Sequence, residues 1–473
     1  MSTITGLIIG LCITLAAVAV VGIYAMRKVK NSEDFTVAGR KASPVMIAGT
    51  ILGSCIGAGG TIGTAETAFK LGVVGWWQTL GISIGCLILG VFMAQFLYKT
   101  RVETVPQVLT KTYGSKVGPI TSLFSAIAIF LSIISQTKGF IPLLISIIPM
   151  PIVSAASIAV VAILVYVLFG GIFGTSLGGI LKMGLIYMTL IVSGVVAYSG
   201  LQGFSGMTST FSFHPWFNMF ARGPEKDIAI GLGFALGVLV TQTYVQAILS
   251  AKDAKAARDG AILSFLLSFP VGIFGVLVGL YMKANFPNIV ASTAFPQFLI
   301  IHFHPVFAGI CIGAMMLAAI GSNAGLILGI STSLSRDIYK KVIRQNASDS
   351  EMMIVLRTLM IVTCILASVV AVSQAGVLIQ HFIFLSFGMR TCVFLVPMMF
   401  AFYYKGRLTK EAGMAAVLTG PLVNIYMNLS KSFSFDPIYG GLVASFVAFV
   451  VVNEIAKRRY PVEVETAGNN SDK

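Results

Sequence analysis

The sequence predicts an all-α polytopic membrane protein, and three observations carry that prediction. The 473 residues are 56% hydrophobic and only 10% charged, whereas a soluble domain carries about 25% charged residues. The apolar residues gather into thirteen stretches, each long enough to cross a ~30 Å hydrocarbon layer as a helix. These run 3–26, 44–66, 72–98, 118–146, 150–169, 174–200, 227–250, 258–284, 305–335, 352–372, 376–404, 409–430 and 436–455. Third, the basic residues sort by side. With the first stretch running from outside to inside, the cytoplasmic connections hold Arg27, Lys28, Lys30, Arg40, Lys41, Lys99, Arg101, Lys111, Lys116 and every later basic cluster. The external side keeps only Lys70, Arg222, Lys226, Lys283 and Lys431. A missed or invented crossing would invert the loops beyond it and spoil this asymmetry. The N-terminus is therefore expected outside and the C-terminus in the cytoplasm. Residues 1–459 read as one transmembrane domain, and 460–473 as a polar tail of disordered composition.

Each element follows from its own residues. Stretch 3–26 has no basic region before it and is too long for a cleaved signal, so it reads as a retained helix. The net charge of +15 is accounted for by basic loops meeting anionic lipid and calls for no nucleic acid. Cys12, Cys55, Cys86, Cys311, Cys364 and Cys392 all lie in apolar stretches, which is neither a disulfide framework nor a zinc motif. No GxxxxGK[ST] is present, so no ATP coupling is expected. No HExxH, GxSxG or other catalytic constellation marks an enzyme, and no cofactor is implied.

Five stretches beginning inside (44–200) are followed by five beginning outside (227–404). Two odd-numbered blocks in series are inverted relative to each other, the plan of many secondary transporters. The first stretch of each block is rich in glycine: Gly53, Gly57, Gly59 and Gly60 in one, Gly231, Gly233 and Gly237 in the other. Interrupted helices at matching places point to a midplane binding site; ordinary close packing by small residues is the alternative.

Three cations lie inside apolar stretches: Lys138, Lys182 and Arg390. An ionisable residue at bilayer depth is a functional candidate by default. Arg390 stands about 21 Å of helix from either end of its stretch, too deep to snorkel. Its planar donor fork suits a carboxylate, unless buried carbonyls or amides satisfy it. Lys182 stands roughly 12 Å inside, within snorkelling reach. Lys138 lies nearer the outer end and either snorkels or lines an access path with Gln136. Glu66 is the one acid at comparable depth, either paired with a buried cation or interfacial.

The order and spacing of several short runs resemble the sodium/solute symporter family. They are DFTVAGR at 34–40, QTYVQ at 242–246, AKDAKAAR at 251–258, AAIGSN at 318–323, SRDIY at 335–339 and TKEAG at 409–413. The resemblance covers essentially 3–455 and implies thirteen helices with a LeuT-type five-plus-five inverted-repeat core. Carried over by position, it puts a sodium site on the carbonyls of Gly53 and Ile56, the carbonyl of Ala319, and the side chains of Ser322 and Asn323. Asn323 departs from the family's hydroxyl. A second departure is Gly179 where many relatives carry Asp, with Lys182 one turn later where Gln is common. Lys182 can replace or compete with sodium, its protonation cycling during transport, or can touch the solute. The solute would meet Cys55, Gly57, Gly59, Gly60, Ala235, Leu239, Gln242, Gln136, Lys138 and Arg390. Proline-carrying members have aromatic residues at Ala235 and Leu239 and an acid at Cys55, which argues against proline.

The expectation is a cation-coupled symporter, working by alternating access in the cell membrane, for a small organic solute. Arg390 points to an organic anion. Sodium is the coupling ion by resemblance, with a proton-coupled or sodium-independent carrier using Lys182 as the alternative. A sensor module on a transporter fold is the alternative from another class.

Overall fold

The computed structural model describes residues 2–26, 40–100, 102, 104–170, 177–404, 406–430 and 432–459. The predicted tail 460–473 and the basic segment 27–39 lie outside the described residues. The principal helices are α1 (Thr3–Met26), α2 (Pro44–Cys55), α3 (Thr64–Leu71), α4 (Trp77–Ile88), α5 (Val117–Ile147), α6 (Ile152–Gly170), α7 (Leu177–Gly200), α8 (Pro224–Val240), α9 (Gln242–Leu249), α10 (Ala254–Asn285), α11 (Pro305–Ser333), α12 (Asp349–Ser373), α13 (Ile379–Tyr403), α14 (Lys410–Ser430) and α15 (Pro437–Arg459). Helix thus occupies each of the thirteen predicted stretches. Among the described residues nine helices are long and apolar enough to cross by themselves, and ten if the bent pair α8–α9 is one span. The figure of thirteen crossings and the side of each terminus rest on the charge pattern.

The starts are set by capping chemistry. Ser43 Oγ accepts from the Met46 N–H (3.4 Å) with Pro44 in the first turn of α2. The Asp253 carboxylate accepts from Ala256 N–H (2.6 Å) and opens α10, and Ser348 Oγ does the same for α12 through Glu351 N–H (3.2 Å). Each satisfies a donor the helix itself leaves free.

Two crossings are interrupted. After α2 the chain leaves the helical region at Ile56 (φ −91°, ψ 74°) and resumes as a wide turn over Gly59–Gly63 that leads into α3. Between α8 and α9, Thr241 takes φ −76°, ψ 122°, and the two helices are bent by 43°. That bend is not at the glycines. A Cβ on Gly233 or Gly237 would come within 2.6 Å of the rings of Phe384 or Phe387, and one on Gly231 within 2.5 Å of Trp77. Those three glycines serve close packing, and the break falls where Thr241 turns its hydroxyl back to the Gly237 carbonyl (2.7 Å).

α13 is the central helix: 83% of its most apolar stretch is buried, against 28% for α12 and for α15. It packs on α5, α8 and α14, while α11 packs on α1 and α5. α1 and α11 approach through Gly10 and Gly309, where an added Cβ would overlap the Val306 and Leu7 carbonyls. Thr14 adds a hydrogen bond to the Ile310 carbonyl (3.2 Å). Where α2 begins and α9 ends, Ala42 and Ala251 form a parallel bridge, with Ala42 N–H to Ser250 O at 3.0 Å and Lys252 N–H to Ala42 O at 3.1 Å.

Candidate ion and solute site at the helix breaks

An interrupted helix leaves main-chain groups that lipid cannot satisfy. Two side-chain amides meet them here. Gln136 from α5 accepts from Ala58 N–H through Oε1 (2.8 Å). Gln78 from α4, with its nitrogen turned toward Gly59, donates to the Gly59 carbonyl (3.0 Å) and accepts from Gly60 N–H (3.2 Å). Thr61 and Thr64 donate to the Gly57 and Gly60 carbonyls (3.0 and 3.1 Å). The amides approach so closely that a Cβ on Gly57 or Gly59 would strike Gln136 or Gln78. Gly57 and Gly59 therefore leave room for the gap-filling amides beside the unwound turn.

Below the break, the Lys182 ammonium donates to Gly53 O on α2 (2.9 Å), and to Ala318 O and Ser322 Oγ on α11 (3.2 Å each). The residue is 9% exposed, so its stem turns inward rather than out to the cytoplasmic face. Three oxygens from two helices are the donor type a hard cation takes. Here a tethered ammonium stands among them and supplies the positive charge itself. Of the expected ion residues, Gly53 and Ser322 meet at this ammonium, and the α11 carbonyl bonded to it is that of Ala318, next to Ala319. Ile56 closes α2 through its own N–H to Leu52 O (2.9 Å). Asn323 faces α5, donating to Thr137 Oγ1 (3.1 Å), while its buried Oδ1 has no hydrogen-bond partner.

The expected solute residues come from several elements. Cys55, Gly57, Gly59, Gly60 and Gln136 gather at the α2 break. Ala235 and Leu239 are buried within α8. Gln242 accepts from Val105 N–H (2.8 Å) and so ties α9 to the short helix Val105–Tyr113. Arg390 donates to Thr241 Oγ1 (3.3 Å) and Ser132 Oγ (3.0 Å) and lies 5.5 Å from the centre of the Phe387 ring. Its Nε is buried without a partner. The guanidinium therefore bridges α5 to the α8–α9 break rather than joining the α2 residues. Lys138 sends its ammonium to the Gln374 and Ala375 carbonyls (2.6 and 3.2 Å) beyond α12. Gln78, Ser132, Thr241 and Ala318 were missed by sequence reasoning. For Gln78 the signal existed: an amide in an apolar stretch needs partners as surely as Gln136 does.

A model of the sodium:solute symporter family matches residues 35–420. The osmoregulated proline transporter OpuE of Bacillus subtilis is 22% identical, over 96% of this chain and 95% of its own length. The high-affinity proline transporter PutP of the same organism is 25% identical, over 92% and 94%. Among solved structures, the substrate-bound outward-open state of a Na+-coupled sialic acid symporter matches with a TM-score of 0.72 at 17% identity, covering 98% of both chains; that likeness shows the fold. The two proline transporters give the expected organic anion no support. Its physical basis also weakens, because the guanidinium read as a carboxylate clamp bonds two hydroxyls of its own chain.

Proposed function

The chain belongs to the sodium:solute symporter family, and from that membership we propose that it is a secondary active symporter of a small organic solute without net negative charge. It is a multi-pass membrane protein and not an enzyme. The cycle is alternating access: ion and solute bind at the breaks in 44–71 and 224–249, and the two inverted halves, 44–200 and 227–404, rock about them. The reading retains thirteen crossings with the N-terminus outside and the C-terminus in the cytoplasm. The solute meets the α2 break at Cys55, Gly57, Gly59 and Gly60, with Gln78 and Gln136 beside it. The two relatives set aside the expected exclusion of proline, which belongs among the solutes tested.

Sodium is the coupling ion that family membership supports. One observation favours a second reading: the Lys182 ammonium bonded to Gly53, Ala318 and Ser322. Lysine and sodium are alternatives for a single position, because two unit positive charges a few Å apart in a dry site repel strongly. Either sodium enters as the lysine withdraws, or the lysine serves in sodium's place and its proton cycles.

A panel of amino acids, betaines and sugars tested by thermal shift, with and without sodium across pH, separates these. A native-state ligand must raise apparent stability. Solute stabilisation that needs sodium supports the first form, and sodium-independent, pH-dependent stabilisation the second. Absence of solute-driven flux in proteoliposomes, for every solute that stabilises the protein, would refute transport and leave the sensor reading.

A further inference from the structure

The turn between α12 and α13 is gripped at both ends by buried charges that come from other helices. α12 ends at Ser373 and α13 begins at Ile379. Lys138 of α5 donates to the Gln374 and Ala375 carbonyls (2.6 and 3.2 Å), at the end of a helix whose last carbonyls lack intrahelical partners. Glu66 of α3 accepts from Ile379 N–H at 2.9 Å, at the start of α13, where a helix leaves donors free. The signs match the helix ends, a cation at the C-terminus and an anion at the N-terminus. Both side chains are buried, Lys138 6% and Glu66 3% exposed. Ser135 Oγ donates to Ile379 O (2.9 Å). The Gln380 amide donates to Thr64 Oγ1 (3.2 Å) and Gly75 O (2.9 Å).

Every group in this grip is close to the α2 break. Glu66 stands six residues beyond Gly60, and Lys138 two residues beyond Gln136, whose amide holds Ala58. The turn is thus fastened to the same two helices that line the break. Buried charges hydrogen-bonded to main-chain groups of one short turn, with the Phe382 ring 5.9 Å from the Lys138 ammonium, have two good environments. One is the closed grip, and the other is water admitted when the turn moves away; an intermediate with dry, unpartnered charges is expensive. Such a contact is bistable.

We propose that Glu66 and Lys138 are positioning residues of an outer latch, in which residues 374–380 close the external path to the α2 break and open when water replaces the two grips. The inference rests on the transporter reading and on its orientation, but its test needs no identified solute. The full chain would carry Cys55 as its sole cysteine, in sealed right-side-out vesicles, and be labelled with a membrane-impermeant maleimide. Cys55 is buried at the end of α2, so its labelling rate reads the open population. Lys138→Met and Glu66→Gln are each expected to raise that rate about tenfold, a shift equal to about 1.4 kcal/mol. Lys138→Arg restores the slow rate, because it keeps a donor at the carbonyls. Unchanged or slower labelling in both single variants overturns the latch, whatever the uptake assay shows. Should either variant fail to fold, hydrogen exchange over 374–382 in the unsubstituted protein decides: slow exchange supports the latch, and exchange as fast as an open loop overturns it.

Discussion

Replacing Lys182 by methionine separates the ammonium from the site it occupies. Methionine fills a similar volume and donates nothing, so Gly53 O, Ala318 O and Ser322 Oγ lose their common donor. Each buried polar group left unsatisfied costs about 1–3 kcal/mol. Ala318 O lies mid-helix and keeps its intrahelical donor, and the serine hydroxyl can turn to another acceptor, so the cost is that of Gly53 O, about 1–3 kcal/mol. Sodium is held by oxygens of this kind. At a hundred times its dissociation constant it would return about 2.7 kcal/mol. At about 2 °C per kcal/mol for a large chain, that is roughly 5 °C in melting temperature. The assay is thermal unfolding of purified protein in sodium chloride against potassium chloride at equal ionic strength. Lys182→Met should gain about 5 °C more from sodium than the unsubstituted protein, whether or not sodium drives the natural cycle. Equal sodium responses in the two proteins would refute the idea that the lysine and the ion share one position.

Other expectations follow from the same geometry. Gln136→Ala leaves the Ala58 N–H without a partner and should lower stability by about 1–3 kcal/mol and depress uptake, whereas Gln136→Glu, which keeps an acceptor, should retain more of both. Arg390→Met removes a buried charge with no acidic partner, and Thr241 and Ser132 keep bonds to Gly237 and Ser386; its melting temperature should be unchanged or higher, and a fall of more than about 5 °C, roughly 2 kcal/mol, would contradict this. Gly309→Val drives a side chain into the Leu7 main chain and should abolish monodisperse, folded protein on size exclusion. In the loop between α14 and α15, burial pushes the Asp436 carboxyl up and neighbouring Glu225 adds to the shift. Its ionised form is thus disfavoured by folding, so stability falls as pH rises through the carboxylate range. Asp436→Asn should melt higher at neutral pH, with the difference vanishing in acid.

The architecture was legible because the bilayer imposes it: length, apolarity and the side of each basic loop are properties of sequence alone. The α2 break was legible too, since Gly59 and Gly60 have no other use in an apolar helix than bending or close approach: both lie in the unwound turn, and Gly59 also admits Gln78. The second break was misplaced. Gly231, Gly233 and Gly237 looked like Gly59 and Gly60, but whether a glycine faces a ring or a gap is decided by another helix. Lys182 was recognisable as a buried cation, and its choice of Ala318 depended on how α11 is rotated. Lys138 and Glu66 were each visible as misplaced charges; only the fold brings the 374–379 turn between them. The partners of Arg390 were hidden for a related reason, because nothing local records that Ser132 and Thr241 arrive at its fork.

The Ala42–Ala251 bridge has a mechanical corollary. It stitches the start of one interrupted crossing to the end of the other through peptide groups, which side-chain changes other than to proline leave in place. Whatever tilts the limb of the first that begins here must drag the limb of the second with it, and proline at Ala42 or Lys252, whose N–H groups make the two bonds, is the simplest way to cut the seam.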